Sequence, residues 1–543
     1  AYWGESDTRG LGMRRILAAA MTIALAAVGA AATGARADQV RHRGGYDPRI
    51  EWRKCTDPSL VSRKAECGVL AVPVDYKKPG GPTLDLAVAR VKHTVPEAKY
   101  QGVMLVNPGG PGAKGQGLAV LGSLVPKGAG DAYDWIGFDP RGVGASKPAL
   151  TCDSKYAGFR RPEYVPTTTA IETTWLRRAQ RYARDCRKAG GSLLDHLKTQ
   201  DSVRDMESIR LALGATQINF YGFSYGTYLG QVYATFYPSR VRRMVLDGVV
   251  NPARVWYDSN LDQDVAFDRN MKIYFAWLAR YHKIYHLGRT ARAVERLYYA
   301  ERARLAAKPA GGKIGSSELT DVFLQAGYYV FGWEDIARAF SDWVRKHDAG
   351  ALERLYLKNN SQEKGADNGY AMYLAVQCTD AAWPASWTKW TSDNWEVHRR
   401  APFETWANAW FNAPCRDWAA APAIPTNVSG ETVAPILLIS ETLDAATPFS
   451  GALEVRKRFP RSALVEGVGG TTHAGSLFGD DCVDNAVADY LASGALPKRR
   501  PGERSDQKCD PIPQPDPANG AARSKRAPAP ATRLELRSAL VTR

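Results

Sequence analysis

A serine between two glycines provides the first candidate for chemistry in this sequence. Ser224 lies at the centre of the pattern G-x-S-x-G between Gly222 and Gly226, after an apolar run over residues 218–223 and before a helical pattern. A sharp turn from strand to helix exposes such a serine above a sheet, and the two glycines let the strand and the helix approach closely. This context favours a nucleophile over a structural serine in a glycine turn.

A serine hydroxyl needs a base that removes its proton and an acid that orients that base. After a serine turn of this kind, the acid and then the histidine follow later in the chain. Of the eight histidines, His473 alone follows the last predicted strand, in the glycine-rich loop after residues 463–466. The sequence therefore predicts His473 as the base rather than as an isolated surface histidine.

The acid is expected on the loop after the preceding strand, which the pattern predicts at residues 435–440. Asp444 lies on that loop, where it could hold the imidazole in one tautomer. Glu441 is the competing candidate, and Asp480 or Asp481 are more distant alternatives because both follow the histidine. We predict Asp444 as the acid.

The oxyanion that forms during acyl transfer needs backbone N–H donors. One is expected from Tyr225, the residue after the serine, and the second from Gly110 in the loop NPGGPG (residues 107–112) after an apolar strand. A phosphate-binding loop is the alternative for this glycine cluster. It is not favoured, because the pattern G-x-x-x-x-G-K-[ST] is missing and Pro111 has no N–H.

The elements that position these residues follow an α/β pattern. Short apolar runs alternate with helical patterns in the first half of the chain and return after a long helical stretch, which indicates a mainly parallel sheet flanked by helices, with a helical cap inserted. The predicted segments are a signal peptide (1–37), a first core segment (38–250), a helical cap (251–430), a second core segment (431–510) and a Pro/Arg-rich tail (511–543) expected to be disordered, with order ending at Cys509.

The first segment is typical of a secretion signal. Two arginines follow Met13, which we take as the true start, and an apolar run leads to an A-x-A site ending at Ala37. An uncleaved membrane anchor is the alternative, but the run is short and weakly apolar. We therefore expect a secreted protein without stable membrane insertion.

Eight cysteines, none in a C-x-x-C pattern, favour disulfides in an exported protein over free buried thiols, zinc or redox chemistry. Pairing of neighbours closes each loop within one local region. The predicted disulfides are Cys55–Cys67, Cys152–Cys186, Cys378–Cys415 and Cys482–Cys509.

Composition excludes several other classes. The 543 residues are 45% hydrophobic and 24% charged, which is ordinary for a folded protein. The net charge is +16, but outside the two ends the basic residues form no cluster with interleaved aromatic residues, so we expect no nucleic-acid partner. We expect a monomer.

The chain resembles the secreted bacterial tripeptidyl aminopeptidases, which are α/β-hydrolases related to prolyl aminopeptidase. The resemblance covers about residues 50–510 and is carried by NPGGPG (107–112), GFDPRGVGAS (137–146), YGFSYGTYLGQVYA (221–234), RVRRMVLDGVVNP (240–252), AVQCTDA (375–381) and LDAATP (443–448). It implies removal of N-terminal tripeptides from peptides or unfolded polypeptides with a free amine, by Ser224, Asp444 and His473, without metal or cofactor. Lys114 and Glu441 stand where relatives often have serine and glycine, which leaves the substrate preference open.

An aminopeptidase must also hold a charged amine, and a buried ammonium needs a counter-charge. Glu334 and Asp380, both in tryptophan-rich parts of the predicted cap, are the candidates, although either acid could equally be structural. Two other functions use the same residues. A secreted carboxylesterase would run the same chemistry on small esters, and an exported binding protein could retain a hydrolase fold without turnover.

Overall fold

One central sheet carries the predicted chemistry. The structure is a computed structural model that describes residues 46–519. Within these residues the strands are β1 (Ile50–Lys54), β2 (Glu66–Pro73), β3 (Thr83–Val91), β4 (Val103–Asn107), β5 (Asp134–Phe138), β6 (Ile218–Phe223), β7 (Val241–Asp247), β8 (Leu437–Glu441), β9 (Ala463–Gly467) and β10 (Gln507–Cys509).

The strands lie in the order β1-β2-β3-β5-β4-β6-β7-β8-β9-β10. The pairs from β1 to β5 along this order are antiparallel, and every pair from β5 to β10 is parallel. Strands β4, β5, β6, β8 and β9 are buried along their whole length, as expected for parallel strands covered by helices on both faces. The predicted α/β class with a mainly parallel sheet is confirmed.

The helices form the two faces of the sheet and a separate layer above one edge. They are α1 (Pro58–Ser62), α2 (Thr169–Gly190), α3 (Thr199–Ala212), α4 (Tyr225–Phe236), α5 (Tyr257–Arg280), α6 (His282–Tyr285), α7 (Ala291–Ala307), α8 (Ser316–Tyr328), α9 (Trp333–Lys346), α10 (Gly350–Asn359), α11 (Asn368–Asp380), α12 (Trp387–His398), α13 (Thr405–Asn412), α14 (Ser450–Arg458) and α15 (Asp481–Ser493). Helices α5 to α13 fall within the segment predicted as a cap, and we call them the cap.

The cap has its own apolar core. Helix α9 shows how the sequence of a cap helix produces one buried face and one exposed face. Trp333, Ile336, Phe340 and Trp343 recur at intervals of three or four residues and are buried, so that they form one face of the helix. The opposite face is charged. Helix α2 joins this layer from the first core segment, because Trp175 stacks on Trp410 of α13 with ring centroids 5.8 Å apart.

Four disulfides cross-link the chain. They join Cys55 to Cys67, Cys152 to Cys186, Cys378 to Cys415 and Cys482 to Cys509, which are the pairs that the order of the cysteines predicts. Such bonds persist in oxidising compartments, and they are typical of extracellular proteins. Within the described part of the chain, no helix has the length and apolarity to span a bilayer.

Residues 511–519 are ordered, which corrects the expectation of disorder for this part of the C-terminal segment. The indole N–H of Trp277 donates to the Pro515 carbonyl at 2.8 Å, and Ile512 is buried in the cap core. Proline-rich composition indicated disorder, but an extended segment can dock without forming a helix or a strand. The predicted signal peptide and residues 520–543 lie outside the described residues.

Candidate active site

Ser224 lies at the turn between β6 and α4. Its φ of 56° and ψ of −126° form a left-handed backbone conformation that non-glycine residues rarely adopt. A side chain at Gly222 would lie 2.5 Å from the carbonyl oxygen of Gly226, so the turn requires glycine there. Phe223 and Tyr225 are buried, whereas Ser224 is partly exposed and lines a cavity. The turn therefore presents the serine to that cavity.

His473 and Asp444 come from the loops after β9 and β8 and form a hydrogen-bonded pair. Nδ1 of His473 lies 2.8 Å from Oδ2 of Asp444. The fully buried carboxylate also accepts hydrogen bonds from the Ala446 and Thr447 N–H groups at 2.9 and 3.0 Å and from the Thr447 hydroxyl at 2.8 Å. These donors fix the carboxylate, which in turn fixes the imidazole and leaves Nε2 as the nitrogen facing away from the acid.

The competing acids serve other parts of the fold. Asp480 accepts a hydrogen bond from the Val483 N–H at 2.8 Å and caps the N-terminus of α15. Asp481 is exposed. Within residues 46–519, the carboxylate hydrogen-bonded to His473 is therefore that of Asp444.

The two predicted oxyanion donors, Gly110 and Tyr225, line the same cavity as Ser224 and His473. Tyr225 is the first residue of α4, where backbone N–H groups have no partner within the helix. Gly110 has a φ of 100° in the loop after β4, and a side chain at the neighbouring Gly109 would lie 2.9 Å from Cβ of Ser224. The glycine loop thus lies directly against the serine turn.

The cavity that contains Ser224 is lined by residues of both the core and the cap. The core supplies Ser224, His473 and the glycine loop. The cap supplies a mixed wall of aromatic and amide side chains: Trp256, Asn260, Gln263, Tyr328, Tyr329, Tyr373, Gln377, Asn408 and Phe411. This lining offers apolar surface together with hydrogen-bonding groups, which is typical of a pocket for a small organic or peptide ligand.

The cap is hydrogen-bonded to the loops that carry the acid and the histidine. The backbone N–H of His473 donates to the Tyr328 carbonyl at 2.8 Å. The Gln263 amide donates to the Ala446 carbonyl at 2.6 Å, and the Asn270 amide donates to the Leu443 carbonyl at 3.0 Å. The position of the Asp444–His473 pair therefore depends on the cap as well as on the sheet.

A second cavity shares one lining residue, Phe411, with the first. Its wall is strongly aromatic, with Tyr156, Tyr164, Trp175, Tyr370 and Trp410, and Glu404 lies on it. The two cavities therefore lie on either side of one cap residue, Phe411.

The structure places neither acid predicted to bind an amine on the wall of these cavities. Glu334 forms an ion pair with Arg338 at 3.2 Å on α9. Asp380 is buried behind the cavity wall, where it accepts hydrogen bonds from Thr199 and Trp256, and burial raises the pKa of its carboxyl to about 6. Tryptophan-rich surroundings indicated burial but not which way the side chain points.

Two other buried acids, Asp264 and Glu404, contact or form the cavity walls. Asp264 accepts a hydrogen bond at 2.8 Å from Asn408, which lines the first cavity, while Glu404 lines the second. Burial, and then the charge of Glu404, raises the pKa of Asp264 well above its usual value.

The spacing of polar residues in the sequence could have indicated Asp264 and Glu404, although composition alone could not. Helix α5 and the start of α13 each carry polar residues at intervals of four on a buried face, namely Asn260, Asp264 and Asp268 on one and Glu404, Asn408 and Asn412 on the other. Polar residues on a buried face indicate a hydrogen-bonded network, and Asn412 indeed donates to Asn260 at 3.1 Å.

Comparison with known proteins agrees with this geometry. Residues 102–480 match the family model described as alpha/beta hydrolase fold. The tripeptidyl aminopeptidase of Streptomyces coelicolor is 40% identical over 461 residues, covering 83% of this chain and 85% of the relative. The serine protease Hip1 of Mycobacterium tuberculosis is 30% identical over 512 residues (89% and 96%), and carboxylesterase B of the same organism is 31% identical over 480 residues (83% and 89%).

The chain belongs to the alpha/beta hydrolase family. Within that family it is a serine hydrolase, similar to tripeptidyl aminopeptidases and to a serine protease.

Proposed function

We propose that this protein is a secreted serine exopeptidase that releases tripeptides from polypeptides with a free N-terminal amine, with Ser224, His473 and Asp444 as its catalytic triad. The observation that carries the proposal is the buried Asp444–His473 pair, which lines one cavity with a serine on a strained turn. The match to tripeptidyl aminopeptidases over most of the chain supports the reaction class.

Acylation begins with proton transfer from the Ser224 hydroxyl to Nε2 of His473, because Nδ1 is engaged by Asp444. The serine oxygen attacks the carbonyl carbon of the third substrate residue. The N–H groups of Gly110 and Tyr225 donate to the oxyanion of the tetrahedral intermediate. As the carbon–nitrogen bond breaks, His473 passes its proton to the leaving amine, and the shortened polypeptide departs.

Deacylation repeats these roles with water. His473 takes a proton from a water molecule, whose oxygen attacks the acyl carbon. The intermediate then collapses, the proton moves to Oγ of Ser224, and a tripeptide with a new carboxylate is released. No step requires a metal or a cofactor.

We assign the counter-charge for the substrate amine to Asp264 and Glu404. An ammonium group entering the second cavity would meet the Glu404 carboxyl group on its wall and would relieve the repulsion between Glu404 and the buried Asp264 behind it. A tripeptide in extended conformation spans about 10 Å, and we infer that it runs from Ser224 past Phe411, which lines both cavities. Recognition of the amine at this depth would select the third peptide bond for attack.

Export through a signal peptide ending near Ala37 is part of the proposal, and four disulfides support it. The substrates are then peptides or unfolded polypeptides outside the cell. A folded domain would be excluded, since its N-terminus cannot enter a cavity enclosed by the cap.

The test is hydrolysis of a tripeptidyl-p-nitroanilide, its N-acetylated counterpart and p-nitrophenyl acetate by the wild type, Ser224→Ala and Glu404→Gln. We expect turnover of the free-amine peptide, loss of that turnover with Ser224→Ala, and little turnover of the acetylated peptide. In Glu404→Gln we expect KM for the free-amine peptide to rise about tenfold or more, as for loss of a buried charge partner. Equal turnover of the free and acetylated peptides would refute the exopeptidase proposal.

A carboxylesterase is the second candidate, favoured by the similarity to carboxylesterase B over 83% of this chain. The same triad would cleave esters through the same acyl-enzyme. Turnover of p-nitrophenyl acetate and longer esters without turnover of any tripeptidyl anilide would assign the protein to this activity.

A further inference from the structure

Glu441, the last residue of β8, lies beneath the loop that carries His473. We call residues 467–475 the histidine loop. A side chain on Gly470 would lie 1.5 Å from Oε2 of Glu441, one on Gly467 would lie 2.3 Å from the same atom, and one on Gly475 would lie 2.7 Å from Oε1. The carboxyl group thus occupies the space left by three glycines on both sides of His473.

The surroundings of this carboxyl group are acidic. Glu441 is 3% exposed and lies near the Ile512 N–H of the C-terminal segment, while Oε2 has no hydrogen-bond partner among the described residues. The charged groups that face it are Asp247 at the end of β7, Asp444 on its own loop and Asp480 before α15. No cation is among them. Burial, and then the charge of Asp247, raises the pKa of Glu441 to about 8.

We propose that Glu441 is a positioning residue for His473: as a neutral acid it supports the histidine loop and holds residues 510–516 against it, and loss of its proton at alkaline pH displaces both. This inference rests on the proposed role of His473 as the catalytic base. It concerns Glu441 as part of the framework and assigns it no contact with the substrate.

The neighbouring hydrogen bonds explain why ionisation of Glu441 would displace His473. Glu441 adjoins two backbone links between the acid loop and the histidine loop, from Thr442 N–H to the Gly467 carbonyl at 2.9 Å and from Leu443 N–H to the Gly470 carbonyl at 2.8 Å. On the other side, Asp247 accepts a hydrogen bond from the Gly475 N–H at 3.1 Å. An uncompensated negative charge here must draw in water or a cation, and either requires the loop to move.

The experiment measures the rate at which a fluorophosphonate labels Ser224 between pH 6 and pH 10. Labelling reports the reactivity of the serine–histidine pair and needs no peptide substrate, so it is independent of whether tripeptides are released. It also avoids the substrate α-amine, which titrates near pH 8. The variants are Glu441→Gln, which imitates the neutral acid, and the matched control Glu431→Gln on an exposed residue before β8.

We expect the labelling rate of the wild type and of Glu431→Gln to fall above pH 8. At pH 9 it should be about one tenth of its plateau, because a single group with a pKa of about 8 is then mostly ionised. In Glu441→Gln the rate should stay within about twofold of its plateau at pH 9, because that side chain cannot ionise. An alkaline fall in Glu441→Gln equal to that of the wild type would overturn the proposal.

Hydrogen exchange in the wild type gives a second measurement that does not depend on any variant folding. Amides of residues 467–475 and 510–516, corrected for the intrinsic pH dependence of exchange, should lose protection between pH 7 and pH 9, while those of β6 should not. Unchanged protection of both segments at pH 9 would contradict the inference even if Glu441→Gln proved unstable.

Discussion

Replacing Asp444 by asparagine should remove most of the activity while leaving the fold intact. Oδ1 of the asparagine can still accept the Ala446 and Thr447 N–H groups, so the loop keeps its backbone contacts. The amide nitrogen, however, would face Nδ1 of His473, where the carboxylate now lies at 2.8 Å. Because an amide nitrogen only donates, the imidazole proton would move to Nε2, and that nitrogen could no longer accept the proton of Ser224.

The expected loss is about 10⁴-fold in kcat, the effect of the wrong histidine tautomer in serine hydrolases, or about 5 kcal/mol of transition-state stabilisation. The assay is kcat and KM for a free-amine tripeptidyl-p-nitroanilide, with thermal melting as the check on folding. Asp480→Asn is the matched control, because asparagine also caps helix α15 well and the control should retain full activity. A loss below about 100-fold in Asp444→Asn, or an equal loss in Asp480→Asn, would refute the assignment of the acid.

Two further predictions concern the cap. Replacing Cys378 and Cys415 by serine removes a disulfide with a sequence separation of 37. The free energy of unfolding should fall by about 4 kcal/mol, because the unfolded chain gains entropy. Calorimetry should show a lower melting temperature, and an unchanged melting temperature would contradict this. Asn270→Ala removes the buried amide that bridges the Leu443 and Gly327 carbonyls, so kcat should fall about tenfold to 100-fold with KM nearly unchanged. A rise in KM alone would instead place Asn270 in substrate binding.

The strands and the three residues of the proposed triad could be predicted because local pattern and chain order determine both. The runs at 103–107 and 218–223 are continuous apolar segments, and the structure has strands at these residues because strands buried on both faces need such side chains. The edge strands β1 and β10 lack this pattern. The first alternates apolar and charged residues over five positions, and the second has only three residues.

Contacts between distant segments account for what the sequence did not predict. Glu334 and Asp380 have the residue type expected for amine binding, but only the packing of the cap determines which acids border the cavity. The order of residues 511–519 likewise depends on the hydrogen bond from Trp277 to the Pro515 carbonyl, across a sequence separation of 238. Local propensity carries no information about such partners.

The hydrogen bonds from the cap to the acid and histidine loops determine what happens when the chain is cut and the cap is freed. An exopeptidase that lost its cap but kept its triad would become an unrestricted endopeptidase. Here the Tyr328 carbonyl holds the backbone of His473, and Gln263 and Asn270 hold the loop of Asp444, so a cut that frees the cap also removes support from the proposed triad. Cleaved molecules should therefore lose activity and should not cleave polypeptides indiscriminately.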